Sequence, residues 1–448
     1  MRKNRTVPIF LLVAIIFLAP GAWAMAKRPP LTQRETEKPR PEDKNTSSLT
    51  LHGCFELALK RSETVAIRKE EIENAKAQIF KAASEAIGDV DFVITDFRQE
   101  APEGGGGGSS VGSTLSARDR RERKFVIKQP LFQGFKSIGA LTGAGGLKKQ
   151  RQQEWIRAKE LLFLDVASAF YGLVRSQKDV ETIESIHRLF EERITELTER
   201  EKIGRSRPSE VATARAKMKI LEAELAGARG ALAIRRYLLE FLTGIPVGAE
   251  QLRDEEPDAN VTPDLSNSLE AAATRADVEA AQQAMKTAKR GILVAQSSLW
   301  PEISLEHNHY EKREGFQSGF DWDLLFKVDV PLSRGGENIG KVKEAVSYWK
   351  KAKLNYSLAE RQAELEIKQS YEEWMTSVNQ SNAIEEAVKA SHENYRLQKE
   401  EYEHNLVNNL DVLTALESLH QTQREANRIY YQMKENYWRL QVALGEAL

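Results

Sequence analysis

The chain has 448 residues, 41% hydrophobic and 29% charged, a composition that excludes a helical membrane protein with several apolar spans of about 20 residues. Lysine and arginine (65) nearly balance aspartate and glutamate (66), so the net charge of −1 provides no basic excess for binding nucleic acid. A single cysteine excludes a disulfide framework and a cysteine-based zinc site.

Residues 1–26 predict a secretory signal peptide. A basic start precedes an apolar run over residues 9–18, and Ala22-Trp23-Ala24 forms a small-x-small cleavage site, with 24–26 as the second choice. The apolar run has about half the length that spans a bilayer, which favours cleavage over a retained anchor. We therefore expect the mature chain to work outside the cytoplasm.

Residues 27–48 are rich in proline, charge, serine and threonine, and they predict a disordered leader. Beyond the leader, Cys54 follows Leu51-His52-Gly53, a sequence that resembles a lipoprotein box. Such a box directly follows the apolar run of the signal, whereas Cys54 lies far downstream in a helical pattern. We therefore predict that Cys54 is a small, buried, apolar side chain.

The rest of the chain contains an internal duplication. The segment PLFQG at 130–134 matches PLSRG at 331–335 at an offset of 201 residues, and the same offset relates Glu210 to Asp411. Further upstream the offset is 213, because the first copy carries an extra loop with a glycine run at 104–108. That run lacks the following Gly-Lys-Ser/Thr of a phosphate-binding loop. The duplication predicts a first repeat over 49–253, a linker over 254–264 and a second repeat over 265–448.

Each repeat begins with a helical pattern, over 51–87 in the first copy, and then changes to alternation with a period of two residues. The alternating runs are about ten residues long, which is the length of a tilted transmembrane β-strand. Pro130 and Pro331 are predicted to end the second strand of each repeat. The predicted lipid-facing residues of the last strand are Trp322, Leu324, Phe326 and Val328.

A proline-free helical segment follows the strands in each repeat, over 138–202 and 339–402. Apolar residues in the first of these recur with a mean spacing of about 3.5 residues, which indicates coiled-coil packing. About 65 residues of helix form a rod near 100 Å long. Breaks at 204–208 and 405–409 then precede shorter helices that return to about 242 and 444.

Four strands per chain cannot close a membrane barrel, because the unpaired backbone groups at the two sheet edges each cost several kcal/mol in lipid. The sequence therefore predicts oligomerisation, with eight strands in a dimer or twelve in a trimer. Cyclic symmetry follows, since every subunit must pair head-to-tail around the ring. The polar face of each strand is expected to line a wet lumen.

This order of elements resembles the TolC-like outer-membrane efflux protein family over almost the whole mature chain. The segments that carry the resemblance are LTLHGCFELALKRSETVAIRKEEIENAKAQI, PLFQG, PLSRG, VASAFYGLV, EKIGRSRPSEV and YEHNLVNNLDVL. The resemblance implies a mainly α chain with a small β part, in which a trimeric twelve-stranded outer-membrane barrel continues into an all-α coiled-coil periplasmic barrel. It also implies an outer-membrane location, and as partners a periplasmic adaptor (membrane fusion) protein, an inner-membrane transporter and outer-membrane lipid.

The resemblance places a gate at the helix tips, where an aspartate of the family faces the lumen at the position of Asp411. A second aspartate of the family falls at Thr414, and Val407 replaces a basic residue, so the charge network of the tip differs here. Glu210 occupies the equivalent acidic position in the first repeat. Both acids also fit a simpler role, as charges favoured at a helix N-terminus. The predicted adaptor-contacting tips are Ile203, Gly204, Arg205, Leu406 and Val407.

No pattern in the chain indicates catalysis or a cofactor. His307 and His309 lie two apart on one strand face, but a metal site requires a third ligand, so interfacial aromatic residues are the favoured interpretation. Two functions of different classes fit the sequence. The first is an export conduit for small molecules or for type I protein secretion, and the second is a periplasmic coiled-coil scaffold whose strands form a soluble hairpin.

Overall fold

The computed structural model describes residues 49–98, 119–248, 252–254, 265–314 and 319–446. The predicted signal peptide, the predicted leader, the glycine run and nearly all of the predicted linker lie outside these ranges. The described residues form one compact unit.

The described chain alternates between helices and a small number of strands. The elements are α1 (Leu51–Arg61), α2 (Glu63–Ile87), β1 (Asp89–Arg98), β2 (Asp119–Gln133), α3 (Lys136–Lys202), α4 (Pro208–Thr243), α5 (Leu265–Glu270), α6 (Ala276–Gln296), β3 (Glu302–Arg313), β4 (Trp322–Asp329), α7 (Glu337–Glu403) and α8 (Asn409–Leu444), with short 3₁₀ turns at Ala271–Thr274 and Ser297–Leu299.

The first helical segment is divided, whereas its sequence predicted one continuous helix. Ser62 has an extended backbone and serves as the C-cap of α1 and the N-cap of α2. Its hydroxyl accepts a hydrogen bond from the backbone N–H of Val65 at 3.3 Å. A serine side chain that accepts from a free amide at the start of a helix stabilises the break between two helices. Hydrophobic periodicity does not reveal such a break.

The four strands form one antiparallel sheet in the order β1-β2-β3-β4. The prediction that Pro130 ends the second strand was wrong, since β2 continues to Gln133. The register between β2 and β3 shifts between Pro130 and Phe132. A bulge of this kind accommodates a residue without a backbone N–H, because the ladder is already interrupted there.

The helices form a layer organised around α3, which packs against α2 and α6 near the sheet and against α4 and α8 farther away. The second long helix, α7, packs against α6 and α8. The layer therefore has α2 and α4 along one edge and α7 along the other. Within the described ranges, none of the helices is both long enough and apolar enough to cross a membrane.

Positive backbone φ angles recur at the spacing of the sequence duplication. Gly134 and Gly335, 201 residues apart, both have φ of 58°. Gly244 and Gly445 end α4 and α8 with φ of 77° and 79°, as is common for glycine at a helix C-terminus. The long helices α3 and α7 each have 67 residues, and α4 and α8 each have 36.

Cys54 lies in the apolar core beside Leu51, Phe163 and Phe170, and its side chain is completely buried. Burial raises the pKa of its thiol to about 11, so the thiol stays protonated at neutral pH. This confirms the prediction of a buried apolar cysteine. The cluster joins α1, α3, α4 and α8 and so connects the two repeats.

Candidate functional site

One face of the sheet carries a band of apolar and aromatic side chains over the part of the strands nearer the helices, and we call it the apolar face. Residues paired directly across antiparallel strands share a face. The register places one row across all four strands at Val90, Ile127, His307 and Leu324. The next row toward the loops contains Phe92, Phe125, His309 and Trp322.

The residues of β4 that the sequence predicted to face lipid all lie on this face. Their exposed fractions are 60% for Trp322, 55% for Leu324, 59% for Phe326 and 49% for Val328. Within one chain about half of each of these side chains is therefore exposed. Their contact with lipid stays a prediction.

The opposite face is polar and carries charged residues of both signs, including Lys124, Lys128, Glu306, Asp323 and Lys327. At its centre the Asp323 carboxylate accepts a hydrogen bond from the Asn308 amide at 2.9 Å and another from the Tyr310 hydroxyl at 2.7 Å. Asn308 and Tyr310 are buried, and the guanidinium carbon of Arg313 lies 4.1 Å from the centre of the Tyr310 ring.

The two strand histidines lie on the apolar face and not among the polar residues. The His307 ring lies 6.0 Å from the Trp322 ring, between centroids. Within the part of the chain that the structure describes, no group of three or more potential metal ligands occurs. The histidines are thus placed beside aromatic residues.

At the far end of the long helices, the two helix turns have the same backbone structure. Gly204 and Asn405 adopt the left-handed conformation, with φ of 74° and 59°. In both turns the following amide bonds back to a carbonyl five residues earlier, from Arg205 to Arg200 at 2.8 Å and from Leu406 to Glu401 at 2.9 Å. Glycine and asparagine tolerate this conformation better than other residues.

The predicted adaptor-contacting residues lie at these turns, but they are not equally accessible. Ile203 is 67% exposed and Leu406 is 74% exposed. Gly204 and Arg205 are also exposed. Val407, in contrast, is half-buried and packs against the apolar cluster that includes Val211, Val412 and Leu413.

The predicted gate acids have local partners at the starts of their helices. Asp411 accepts a hydrogen bond from the Asn408 backbone N–H at 3.1 Å, and the Asn408 side chain caps α8 in return. Glu210 accepts a hydrogen bond from the Ser206 hydroxyl at 2.7 Å. These contacts fit the role of helix-terminal charges. The Thr414 hydroxyl donates to the Leu410 carbonyl at 2.8 Å, as a local helix contact.

A cluster near the tips was missed by the sequence analysis, and we call it the tip clamp. Arg193 of α3 is 3% exposed, and its Nε donates to Asn409 Oδ1 at 2.9 Å. The guanidinium carbon atoms of Arg193 and Arg200 lie 3.9 Å and 4.6 Å from the centre of the Tyr402 ring. The clamp therefore joins α3 to the turn between α7 and α8. Its only sequence signal is an arginine at an apolar position of the helix, three residues after Phe190 and four before Leu197.

A second missed cluster joins the repeats nearer the sheet. Arg157 of α3 bonds to Glu366 of α7 at 3.2 Å, and Arg275 bonds to Glu366 at 2.7 Å and to Asp277 at 2.5 Å. Arg275 is 3% exposed. Burial also raises the pKa of Glu160, which pairs with Arg157. Buried charges persist when they are paired in this way.

The model of one protein family, described as outer membrane efflux protein, matches residues 268–446. This confirms the resemblance to the TolC-like family, which is one of channel and transport proteins and not of enzymes. The chain is located in the outer membrane and has a large periplasmic portion.

Solved structures show the same fold for nearly the whole chain. VceC from Vibrio cholerae is 21% identical, with a TM-score of 0.76 over 88% of this chain and 96% of that one. The CmeC channel from Campylobacter jejuni is 17% identical, with a TM-score of 0.76 over 89% and 86%. The open MtrE channel from Neisseria gonorrhoeae is 18% identical, with a TM-score of 0.74 over 94% and 96%. A comparison with curated proteins finds no match.

Proposed function

We propose that three copies of this chain form the outer-membrane conduit of a tripartite export system. In this proposal the sheets close into a twelve-stranded barrel, and the long helices continue it as a tunnel through the periplasm. The helix tips dock to a periplasmic adaptor and an inner-membrane pump. The chain itself catalyses no reaction.

The open edges of the apolar sheet carry the proposal. Within the described residues, strands β1 and β4 each pair with one neighbour, so each leaves a row of backbone groups unpaired. Because four strands alternate in direction, β4 of one copy runs antiparallel to β1 of the next. Head-to-tail closure therefore satisfies every edge in an all-antiparallel ring. In lipid this closure is required, since water is absent there to solvate a free edge.

The helical layer supports the same arrangement, because both of its edges expose large apolar side chains. On α7 these include Tyr348, Leu354 and Leu365, and on α2 and α4 they include Phe80, Ile220, Ile234 and Phe241. A contiguous apolar surface on a folded chain indicates a protein interface. In a ring of three copies, α7 of one copy meets α2 and α4 of the next.

Efflux of small molecules is the proposed task, since the description of the family names efflux. Type I protein secretion uses the same kind of outer component and is the alternative cargo. A soluble scaffold is disfavoured, because exposing the apolar face to water loses roughly 25 cal/mol for each Å² that lipid would otherwise cover.

Replacing Phe326 with arginine tests the conduit against the scaffold. Phe326 is 59% exposed on the apolar face. An arginine facing lipid near the bilayer midplane costs about 2–4 kcal/mol per copy. We expect Phe326→Arg to lose heat-resistant trimers and to disappear from the outer-membrane fraction, both measured by gel migration and membrane fractionation.

The matched control is Leu325→Arg, which adds the same charge one residue away on the polar face. Leu325 pairs with Glu306 across the strands and is 52% exposed. This variant should assemble normally. If Phe326→Arg fractionates as a well-folded soluble protein, or if both variants assemble equally well, the conduit proposal fails.

A further inference from the structure

Three aromatic side chains meet at the end of the sheet that joins the helices, and we call them the aromatic anchor. They are Phe132 near the end of β2, Phe135 just before α3 and Trp300 just before β3. The ring of Phe135 lies 5.5 Å from that of Phe132 and 6.2 Å from that of Trp300, between centroids, and both contacts are edge-to-face. Phe135 is nevertheless 47% exposed and Trp300 is 51% exposed. The described part of the chain therefore leaves about half of each of these two side chains accessible.

The backbone of Phe135 adopts the left-handed conformation, with φ of 66° and ψ of 13°, which is unfavourable for an aromatic residue. The residue at the same position of the second repeat, 201 residues later, is Gly336, with φ of 89° and ψ of −6°. Glycine adopts this conformation without a steric penalty. The turn thus accepts glycine, and a phenylalanine in it requires a gain that offsets the strain.

Close packing fixes the position of this turn. A Cβ atom at Gly134 would lie 2.7 Å from Trp300 Cβ and 2.8 Å from the carbonyl oxygen of Ser297. The connection from β2 to α3 therefore lies directly against the segment before β3. The anchor is in this way assembled from both repeats.

The anchor continues the apolar face toward the helices. Phe132 pairs with Ile303, which pairs with Val328, so a further row of the apolar face ends at Phe132. Phe135 contacts Phe132 and directly precedes α3. The next residue, Lys136, forms an ion pair with Glu85 at 3.1 Å, and about half of each side chain is exposed. The apolar surface thus changes to a charged one within one residue, as is typical of the boundary between hydrocarbon and water.

The height of the apolar surface fits an outer membrane. Its other end is the row of Phe92, Phe125 and Trp322, which crosses β3 at His309. The extended chain from residue 300 to residue 309 spans roughly 30 Å. A strand tilt of 35–45° reduces this to a height of roughly 22–25 Å. Outer-membrane barrels have an apolar band about 25 Å tall with aromatic girdles at both edges.

The place of the anchor in the sheet distinguishes lipid from another copy of the chain as its partner. Its residues adjoin β2 and β3, which have both of their sheet neighbours within the chain. In the proposed ring, other copies meet the sheet at β1 and β4, and they meet the helical layer at α2, α4 and α7. The anchor therefore lies between the two subunit interfaces, where the outer surface of the ring faces lipid.

We propose that the aromatic anchor binds the head-group region of the periplasm-facing leaflet and so fixes the level of the barrel in the membrane. This inference rests on the proposed function, since the apolar face must lie in lipid. Aromatic girdles occupy this level in outer-membrane barrels, and tryptophan is one of the two residue types most enriched there. The contact of Phe135 with lipid is the gain that retains a phenylalanine where glycine fits without strain.

Spin labels on single cysteines locate the anchor in purified trimers reconstituted in phosphatidylcholine vesicles. Accessibility to oxygen and to a water-soluble nickel chelate measures the depth of each label. We expect the label at Phe135→Cys to lie about 12 Å from the bilayer midplane, which is half of the apolar band. Phe326→Cys is the reference for a deep position. Native trimers treated with the same reagent show whether Cys54, which is completely buried, adds any signal.

The matched control is Phe97→Cys, because Phe97 is 52% exposed but pairs with Arg120 on the polar face of the sheet. Its label should be fully accessible to the nickel chelate. A second measurement tests whether the ring sets the level, by adding Phe135→Trp or Phe135→Gly to Phe326→Cys. Phe135→Trp keeps an interfacial ring and should leave the depth of the label unchanged. Phe135→Gly should shift that depth by more than the variation between preparations.

The anchor is overturned by any of three results in intact trimers. The label at position 135 is as accessible to water as the label at position 97, or it is shielded from both reagents, as a covering protein would shield it, or Phe135→Gly leaves the depth at position 326 unchanged. Trimers are measured first for the native chain and for each variant. Absence of trimers in the native chain, or a label at position 326 that is exposed to water, counts against the conduit itself.

Discussion

At the scale of single residues, Asp411 has two roles that the structure allows us to separate. Its carboxylate takes part in the cap of α8 with Asn408. The same carboxylate is exposed at the tip, where the family resemblance predicts a gate. The cap needs a hydrogen-bond acceptor, whereas a gate that attracts cations needs a negative charge.

Two substitutions at Asp411 therefore give different results. Asp411→Asn keeps an acceptor for the Asn408 amide but removes the charge, and Asp411→Ala removes both. If Asp411 faces the lumen at a closed gate, both variants should change closed-state conductance and cation block in planar bilayers. Asp411→Ala should lose about 1 kcal/mol of stability, measured by thermal unfolding, and more than Asp411→Asn, because it removes the cap acceptor as well as the charge at the helix N-terminus. Unchanged conductance in both variants excludes Asp411 from the gate.

At the scale of elements, the tip clamp decides how firmly the end of α7 is held against α3. The Tyr402 ring is buried between two helices and contacts two guanidinium groups. Cation–π contacts that are shielded from water are worth about 2 kcal/mol. The contact needs an aromatic ring and does not need the hydroxyl.

Tyr402→Leu should therefore loosen the turn between α7 and α8, and Tyr402→Phe should not. Limited proteolysis at 404–408 measures the opening of this turn. A loss of about 2 kcal/mol predicts up to about 30-fold faster cleavage in Tyr402→Leu. Equal cleavage of the two variants would show that the ring does not hold the tip.

The elements also show which local features can be predicted from sequence. The alternation in β4 and the long apolar periodicity of α3 predicted a strand and a helix, because each residue's face depends only on its neighbours along the chain. The break at Ser62 and the continuation of β2 past Pro130 were not predicted. The break depends on the side-chain cap that Ser62 provides for α2, and the continuation of β2 depends on the register shift opposite β3.

At the scale of the whole molecule, the tips lie at the far end of α3 and α7 from the sheet. Each long helix has 67 residues, or about 100 Å of rise. Such a length places the tips deep in the periplasm when the sheet lies in the outer membrane. The exposed apolar residues at the tips are then available to a periplasmic partner.

A photoreactive amino acid at Leu406 or Ile203 should therefore cross-link to the adaptor in living cells. Leu365, which is 54% exposed in the middle of α7, is the control position and should cross-link only to another copy of the chain. Mass spectrometry of the products identifies the partner. The absence of an adaptor from tip products, or equal capture from Leu365, contradicts tip docking.

The order of the elements, the duplication and the apolar strand face follow from the sequence alone, because they depend on periodicity and on spacing along the chain. The burial of Arg193 and of Arg275, the four-strand register and the contact of Phe135 with Trp300 required the tertiary structure. These contacts join residues far apart in sequence, and no local pattern specifies which partners meet. An arginine in a helical stripe becomes a buried cation only when another helix supplies the aromatic ring and the acceptor around it.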